Sequence, residues 1–260
     1  MLSSVPFFVI NLPEFQARQE FMALQLQAMG IRPMLWPATD GKQLTPAELA
    51  RHYDEKRANA NQCPLTRGEI GCALSHLSIY RHMIERQLSC AIVLEDDAAL
   101  GKYAPEVISA IAEKMPVDEP TVVLLTHLSR YSRRGSQKLT ARHRLVKVWK
   151  AGCAHGYVIN LAAGKFLVDE LYPVHVRADN WTRLRRSSSQ LTLLGVDPYC
   201  VGQSVLASPS SLQGDRIKRD ESIVYAEPSF WARVTRGFHG FYMRGYLRLR
   251  YGVKRQVATY

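Results

Sequence analysis

The sequence predicts an α/β domain with a Rossmann-like nucleotide-binding sheet and flanking helices, followed by a basic, aromatic and partly helical C-terminal tail. Three observations predict it. The chain opens on a strand-loop-helix-strand pattern, a capped helical pattern leads into a continuous apolar run at residues 90–94, and residues 228–260 contain no acidic side chain. We therefore expect one domain over residues 1–227 and a separate basic segment over residues 228–260.

The opening of the chain reads as the start of such a sheet. Residues 5–10 form a short apolar and aromatic run that stops at Asn11, which is typical of a buried strand entering a loop. Residues 15–29 predict a helix with Gly30 at its C-cap, and residues 31–38 suit a second strand. The apolar residues that recur at helical spacing in this helix are Phe21, Leu24 and Ala28.

Two helix starts are marked in the middle of the chain. Thr45 is followed by a proline and, three residues on, by an acid, so a helix begins there. Thr66 and Glu69 repeat the capping-box spacing before a helix over residues 70–87, whereas the polar residues 54–63 predict a mobile loop. The predicted core residues of the longer helix are Leu74, Leu77, Ile79, Met83 and Ile84.

The later part of the chain continues the alternation of predicted strands and helices. Residues 121–126 and 153–161 read as strands, residues 130–144 as a basic loop, and residues 162–171 as a helix. A helical or irregular segment opens at residues 178–181.

Composition narrows the class of protein. A chain of 260 residues that is 47% hydrophobic can bury a sizeable core, and its apolar runs are far shorter than the roughly 18 to 20 residues that span a bilayer. The first residues lack a basic n-region and a cleavage pattern, so we expect a cytoplasmic protein. Five widely spaced cysteines suit neither a disulfide framework nor a zinc site and are expected to be reduced, mostly core residues.

The formal net charge of +11 indicates an anionic partner. Nucleic acid, phospholipid and a phosphate-bearing substrate all fit this charge, and charge alone does not choose among them.

The chemical centre is the apolar run at residues 90–94, which ends directly in Glu95, Asp96 and Asp97. Clustered carboxylates repel unless a cation neutralises them. Glu95 and Asp97 share one face of an extended strand, so the pair could hold a divalent metal that clamps a pyrophosphate. The alternative is a solvated acidic turn at a strand end.

Four motifs in this order resemble glycosyltransferase family 25, the lipooligosaccharide sugar transferases related to the collagen galactosyltransferase domain. The motifs are Phe8-Val9-Ile10-Asn11-Leu12 with Arg18, the stretch from Leu65 to His76, Ile92-Val93-Leu94-Glu95-Asp96-Asp97, and Gly156-Tyr157-Val158-Ile159. Weaker matches are Asp40-Gly41, Asp179-Asn180-Trp181 and residues 198–211. Together they run over about four fifths of the chain.

The resemblance implies a GT-A-like fold, a UDP-sugar donor that is most often UDP-galactose, a divalent metal such as Mn²⁺, and inversion at the anomeric carbon. It also implies a lipid-linked saccharide acceptor. Glu95, Asp96 and Asp97 lie where such enzymes carry a DxD-like motif. Because the first position is Glu, we expect Asp97 to be the closest metal ligand and Asp96 to bind the donor ribose or sugar. The expected donor-binding residues are Asn11, Leu12, Arg18, Arg67, Ser75 and Asp96.

The same resemblance gives candidate catalytic residues. Glu69 and His76 lie about two helical turns apart and could face the donor together; the alternative is a capping glutamate and a structural histidine. Asp179 is the candidate base that takes the proton of the acceptor hydroxyl, with a surface helix cap as the alternative. Arg67, or an arginine of residues 130–144, could stabilise the leaving diphosphate, unless these arginines only face solvent.

The tail after residue 228 alternates arginines with aromatic residues. This pattern suits a segment lying in an anionic membrane interface, at the inner face of the bacterial cytoplasmic membrane where a lipid-linked acceptor would be. A helix that packs its aromatic stripe on the domain is the alternative. A polyanion-binding protein without catalysis remains the rival function, although nucleic acid is not expected because it leaves the acidic cluster unexplained. A glycoside hydrolase also uses paired carboxylates but needs no metal.

Overall fold

The computed structural model describes residues 5–204 and 253–256. The strands are β1 (Phe7–Asn11), β2 (Met34–Pro37), β3 (Cys90–Glu95), β4 (Ala98–Leu100), β5 (Thr121–Leu124), β6 (Arg130–Lys138), β7 (Arg144–Lys150), β8 (Gly156–Asn160), β9 (Thr192–Asp197), β10 (Val201–Gln203) and β11 (Val253–Lys254). The helices are α1 (Gln16–Ala28), α2 (Pro46–His52), α3 (Glu55–Ala60), α4 (Arg67–Glu85), α5 (Ala104–Lys114), α6 (Leu161–Leu171) and α7 (Trp181–Ser187).

A mixed sheet of nine described strands forms the centre, in the order β11-β6-β7-β9-β5-β8-β3-β1-β2. Strand β1 lies between β2 and β3 and runs parallel to both, whereas β8 runs antiparallel to β3 and β5. Strands β4 and β10 form a separate antiparallel pair. The predicted α/β class and the strand-helix-strand opening are therefore confirmed.

The central strands are buried on both faces, which gives the sheet two cores. In β1, Phe8 and Ile10 pack with α4, α6 and α7, while Phe7 and Val9 pack on the opposite face with α1 and α5. Strand β3 alternates in the same way, which explains its continuous apolar sequence. The polar residues at the ends of these strands are thus held between two packed layers.

The helix boundaries follow the predicted capping signals. The hydroxyl oxygens of Thr45 and Thr66 accept the backbone N–H groups of Glu48 and Glu69, and both capping boxes are complete. Gly30, at φ +71°, follows the C-cap of α1, and its N–H donates to the carbonyl of Gln27 as the predicted helix end requires.

Two local predictions were wrong, and the apolar spacing in α1 did not mark the buried face of that helix. Residues 54–63 contain helix α3, capped by the Asp54 carboxylate, because a helix with one buried residue leaves no apolar period to read. Residues 130–144 are largely strand β6 and its turn into β7; their side chains face mostly outward, so their composition resembled a loop. Leu24 is 67% exposed, since α1 buries Met22 and Leu26 instead.

The five cysteines are all free thiols, as the spacing predicts. Their expected place in the core holds only for Cys90 and Cys200, which are buried. Cys63 and Cys72 are half-buried and Cys153 is exposed, so the expectation of a core position is wrong for these three.

The predicted tail, residues 228–260, lies outside the described residues except for 253–256. Val253 pairs with Ser132 of β6. The buried Gln256 side chain donates to the Val196 carbonyl and accepts the Leu128 N–H. This short piece therefore belongs to the edge of the sheet. Among the described helices, none combines the length and the hydropathy needed to cross a membrane.

Candidate functional site

The carboxyl ends of β1 and β3 meet at one edge of the sheet. Ile10 is in register with Glu95, so the residues that follow each strand lie side by side. The Asn11 amide donates to Asp96 Oδ2 at 2.8 Å, and Arg18 donates to Asp96 Oδ1 at 3.2 Å. The structure thus brings together three of the predicted donor-binding residues, in the crevice where α/β sheets commonly bind ligands.

The acidic cluster is costly to keep ionised. Burial, followed by the neighbouring charges of Glu95 and Asp96, raises the pKa of Asp97 to about 6. Burial also raises the pKa of Asp96, against the opposing effect of Asn11 and Arg18. Asp97 Oδ2 accepts from Gln203, and its buried Oδ1 has no hydrogen-bond partner within residues 5–204 and 253–256.

The start of α4 packs backbone to backbone on the loop after β2. A Cβ atom at Gly71 would overlap the backbone of Thr39 and Gly41, and one at Gly41 would overlap the carbonyl of Arg67. Ser75 accepts the Thr39 N–H at 2.8 Å. Glycine at both positions therefore allows this loop to form a wall beside the acidic cluster.

His76 connects the cluster to the buried core. Its Nε2 lies 3.2 Å from Glu95 Oε1, and its Nδ1 lies 2.7 Å from the Tyr157 hydroxyl, which in turn is 2.6 Å from that of Tyr80. The Tyr157 hydroxyl can either donate to Nδ1 or accept from it, so this network fits both neutral tautomers. His76 can therefore offer Nε2 either as a donor to Glu95 or as a lone pair.

An open cavity lies on one side of the cluster, with an empty volume of about 880 Å³ that includes its solvent-filled mouth. We call it the Asp96 cavity; its lining includes Leu12, Arg18, Ser75, His76 and all three carboxylates. Five of the six predicted donor-binding residues lie in it or, for Asn11, bond directly to its lining.

A second cavity, of about 630 Å³, opens on the other side of Glu95 and Asp97. We call it the Asp179 cavity; its lining includes Glu69, His155, Arg177, Asp179 and Gln203. Glu95, Asp97 and Cys72 border both cavities. The predicted base and the predicted metal ligands thus lie around one space.

Asp179 does not cap a helix. The cap of α7 is Asn180, whose side chain accepts the Arg183 N–H. Asp179 Oδ1 is buried without a hydrogen-bond partner among the described residues, 3.8 Å from Arg177 Nε. Its carboxylate is therefore held at the cavity rather than used in the helix.

The side chains between the two cavities have the chemistry to bind a divalent cation. Glu95 and Asp97 border both cavities, and Asp97 Oδ1 has no hydrogen-bond partner among the described residues, so carboxylate oxygens of the kind that bind a hard cation are available there. Ligand atoms of Cys72, His76 and Glu95 also lie within 4.8 Å of one another. Cys72 and His76 would favour a softer ion such as zinc, whereas Glu95 with Asp97 favours Mn²⁺ or Mg²⁺.

The remaining predicted residues have structural partners. The exposed Arg67 donates to the carbonyls of Gly41 and Leu44 and is not part of the lining of either cavity. Glu69 accepts the Thr66 N–H in its capping box, while its other oxygen lies 3.8 Å from Arg177. Strand β6, with the arginines of residues 130–144, lies five strands from β3 in the sheet. The catalytic roles of these residues stay predictions.

Residues 4–182 match the model of glycosyltransferase family 25 (LPS biosynthesis protein), a range that runs from β1 to the start of α7 and includes Glu95, Asp96, Asp97 and Asp179. The chain belongs to glycosyltransferase family 25.

Relatives of this family 25 chain include enzymes of animals. Procollagen galactosyltransferase 2 of Mus musculus is 38% identical over 94 residues, which are 35% of this chain and 15% of the relative. A glycosyltransferase 25 family member of Drosophila melanogaster is 35% identical over 39% of this chain and 17% of the relative. The probable inactive glycosyltransferase 25 family member 3 of Bos taurus is 27% identical over 76% of this chain and 37% of the relative. The chain thus spans less than two fifths of these relatives, and one of them is named inactive.

A solved structure with some likeness to the family 25 chain is that of a mannose-1-phosphate geranyltransferase from Thermus thermophilus. It has a TM-score of 0.38 and 12% identity, and the match covers 74% of this chain and 73% of that one. Likeness at this level does not establish a shared activity.

Sequence reasoning missed several residues of the family 25 site. His155 directly precedes the fourth motif and Arg177 lies two residues before Asp179, so proximity to motifs was the available signal. Gln203 gave no signal, because only the pairing of β10 with β4 brings it to Asp97. Tyr157 is within a motif, but only its contact with His76 shows its place in the network.

Proposed function

We propose that this chain is an inverting, metal-dependent glycosyltransferase of the GT-A type that transfers galactose from UDP-galactose to the saccharide of a lipooligosaccharide or lipopolysaccharide core. The observation that carries the proposal is that Glu95 and Asp97 separate two cavities, one lined by predicted donor-binding residues and the other by the predicted base. Family membership and the galactosyltransferase relatives support the class of reaction.

The donor would occupy the Asp96 cavity. Asp96, held by Asn11 and Arg18, presents a fixed carboxylate that suits the hydroxyls of a ribose or sugar. Arg18 supplies a cation at the same wall for the diphosphate. Glu95 and Asp97 would hold the divalent metal, and His76 Nε2 lies 3.2 Å from Glu95 Oε1. When bound, this ion would neutralise the charge that develops on the leaving diphosphate.

The acceptor would approach from the Asp179 cavity. Asp179 takes the proton of the acceptor hydroxyl while the acceptor oxygen bonds to the anomeric carbon. The bond from that carbon to the diphosphate oxygen breaks on the opposite face, and UDP leaves with the electron pair. Attack from the face opposite the leaving group gives inversion. The proton remains on Asp179 until it is released to solvent.

A reversible location at the inner face of the cytoplasmic membrane is part of this proposal. Its support is the run of basic and aromatic residues after position 228, which lies mostly outside the described structure.

A thermal-shift screen tests the donor assignment. UDP-galactose, UDP-glucose and UDP-N-acetylhexosamines are added with Mn²⁺, and the same additions are made in EDTA. We expect UDP-galactose to raise Tm the most, and only with Mn²⁺. A larger shift with another UDP-sugar would reassign the donor, and equal shifts in EDTA would remove the metal from donor binding.

A further inference from the structure

The Asp179 cavity contains buried polar atoms that make no hydrogen bond within the described residues. Two of them, Arg177 Nε and Asp179 Oδ1, face each other at 3.8 Å, an ion pair too long for a hydrogen bond. Within the described residues, Asp97 Oδ1, His155 Nε2, Arg177 Nε and Asp179 Oδ1 are buried and have no hydrogen-bond partner. His155 is only 5% exposed and Asp97 only 8%. Unpaired polar atoms at this depth are costly, so their convergence on one cavity indicates a ligand that supplies the missing hydrogen bonds.

The four atoms include both donors and acceptors. Arg177 Nε donates, the Asp97 and Asp179 oxygens accept, and the His155 ring can do either. Sugar hydroxyls both donate and accept, so a saccharide can satisfy His155, Arg177 and Asp179, while Asp97 Oδ1 is left to the proposed cation. An apolar ligand would leave them unpaired.

The charge of the lining restricts the saccharide further. Glu69, Glu95, Asp97 and Asp179 face one guanidinium, that of Arg177, among the described residues that line the cavity. Burial lowers the pKa of His155, so its ring adds no positive charge near neutral pH. With a divalent cation at Glu95 and Asp97, the four carboxylates still outnumber the positive charges by one, so a phosphate or carboxylate on the acceptor would meet a lining of net negative charge. The cavity thus differs in sign from the strongly basic chain as a whole.

We infer that the Asp179 cavity binds the terminal acceptor sugar and selects an uncharged hexose, with His155, Arg177 and Gln203 as its hydrogen-bonding partners. The inference rests on the proposed function. It adds that a sugar carrying phosphate or carboxylate is rejected at the position that receives the new linkage.

Matched sugar pairs test this specificity. The probes are methyl β-galactoside, methyl β-glucoside and the corresponding methyl uronides, which differ only in a carboxylate at C6. Their affinities are measured by titration NMR on the full chain, alone and with UDP and Mn²⁺. We expect at least one neutral hexoside to bind at least about tenfold more tightly than its uronide. A uronide that binds as tightly as its neutral counterpart, or no binding by either neutral hexoside, overturns the inference.

A variant separates charge from structural damage. Asp179→Asn keeps the size of the side chain and removes one negative charge. The ratio of the affinity for the neutral hexoside to the affinity for its uronide should therefore fall several-fold. Loss of fold would weaken both sugars together and would not change their ratio. An unchanged ratio in a folded variant overturns the electrostatic argument.

Donor binding is followed on the same samples. Binding of UDP with Mn²⁺ but of no neutral hexoside would refute the acceptor cavity alone. Binding of the hexosides without any UDP binding would refute the proposed function instead.

Discussion

Replacing Asp97 by asparagine should stabilise the metal-free protein while removing its response to metal. Burial and the charges of Glu95 and Asp96 raise the pKa of Asp97 from 3.8 to about 6. An acid with a raised folded-state pKa is penalised when ionised, so the penalty is complete above about pH 6 and disappears as pH falls toward about 4. A shift of about 2 units corresponds to on the order of 2–3 kcal/mol at pH 7.5. An asparagine side chain is neutral at every pH in this range and therefore avoids the penalty.

In EDTA at pH 7.5, we expect Asp97→Asn to raise Tm by roughly 4–12 °C, at roughly 2–4 °C per kcal/mol for a chain of this size. The difference should close as pH approaches about 4. With Mn²⁺ at about 100 times its Kd, wild type should gain about 2.7 kcal/mol and the variant nothing, because an amide is a poor ligand for a hard cation. The variant should also lose metal-dependent turnover.

The matched control for this experiment is Asp118→Asn, which removes an exposed carboxylate outside both cavities. It should change neither Tm nor the response to Mn²⁺. Destabilisation of the metal-free protein by Asp97→Asn would refute the electrostatic account. A full Mn²⁺ response, or activity within a few-fold of wild type, would remove Asp97 from the metal site.

The same geometry and the composition of the tail make three further predictions. Asp179→Asn should lower turnover with little change in UDP-sugar affinity, because a base acts in the chemical step; a parallel collapse of donor affinity would make Asp179 a donor or metal residue. Gly71→Ala should lower the free energy of unfolding by about 1–3 kcal/mol or more, because its Cβ would overlap the backbone of Gly41. The control Gly164→Ala has room for its Cβ and should not destabilise the protein. Urea unfolding measures both, and equal effects would refute the close approach of the two backbones. Changing the tail arginines to glutamine should abolish low-salt cosedimentation with anionic liposomes, because each arginine contributes on the order of 1 kcal/mol to binding. Unchanged binding would refute the membrane proposal. The arginines to change are Arg233, Arg236, Arg244, Arg248 and Arg250.

Strong local signals made much of the fold predictable. Strands β1 and β3 are buried on both faces, so their sequences are continuous apolar runs, and the capping boxes at Thr45 and Thr66 fix two helix starts. Elements with few buried residues were not predictable in this way. Helix α3 buries only Ala58, and β6 exposes most of its basic side chains, so neither carries a clear period.

The residues of the candidate site also differ in how far the sequence predicted them. Asn11 and Arg18 were named from the first motif and Asp96 from the third, and the parallel register of β1 and β3 makes them neighbours. Contacts that depend on tertiary packing could not be predicted from the sequence. The turn of Arg67 toward two loop carbonyls and the approach of Gln203 to Asp97 depend on how distant segments pack.

The most direct test of the central claim is release of UDP from UDP-galactose by the purified chain. With Mn²⁺ present, we expect turnover that EDTA abolishes and that added Mn²⁺ restores, and none in Asp97→Asn. Transfer to a saccharide acceptor should show the same dependence. Equal rates in EDTA and Mn²⁺, or full activity in Asp97→Asn, would contradict the claim that the carboxylates after β3 hold a catalytic metal.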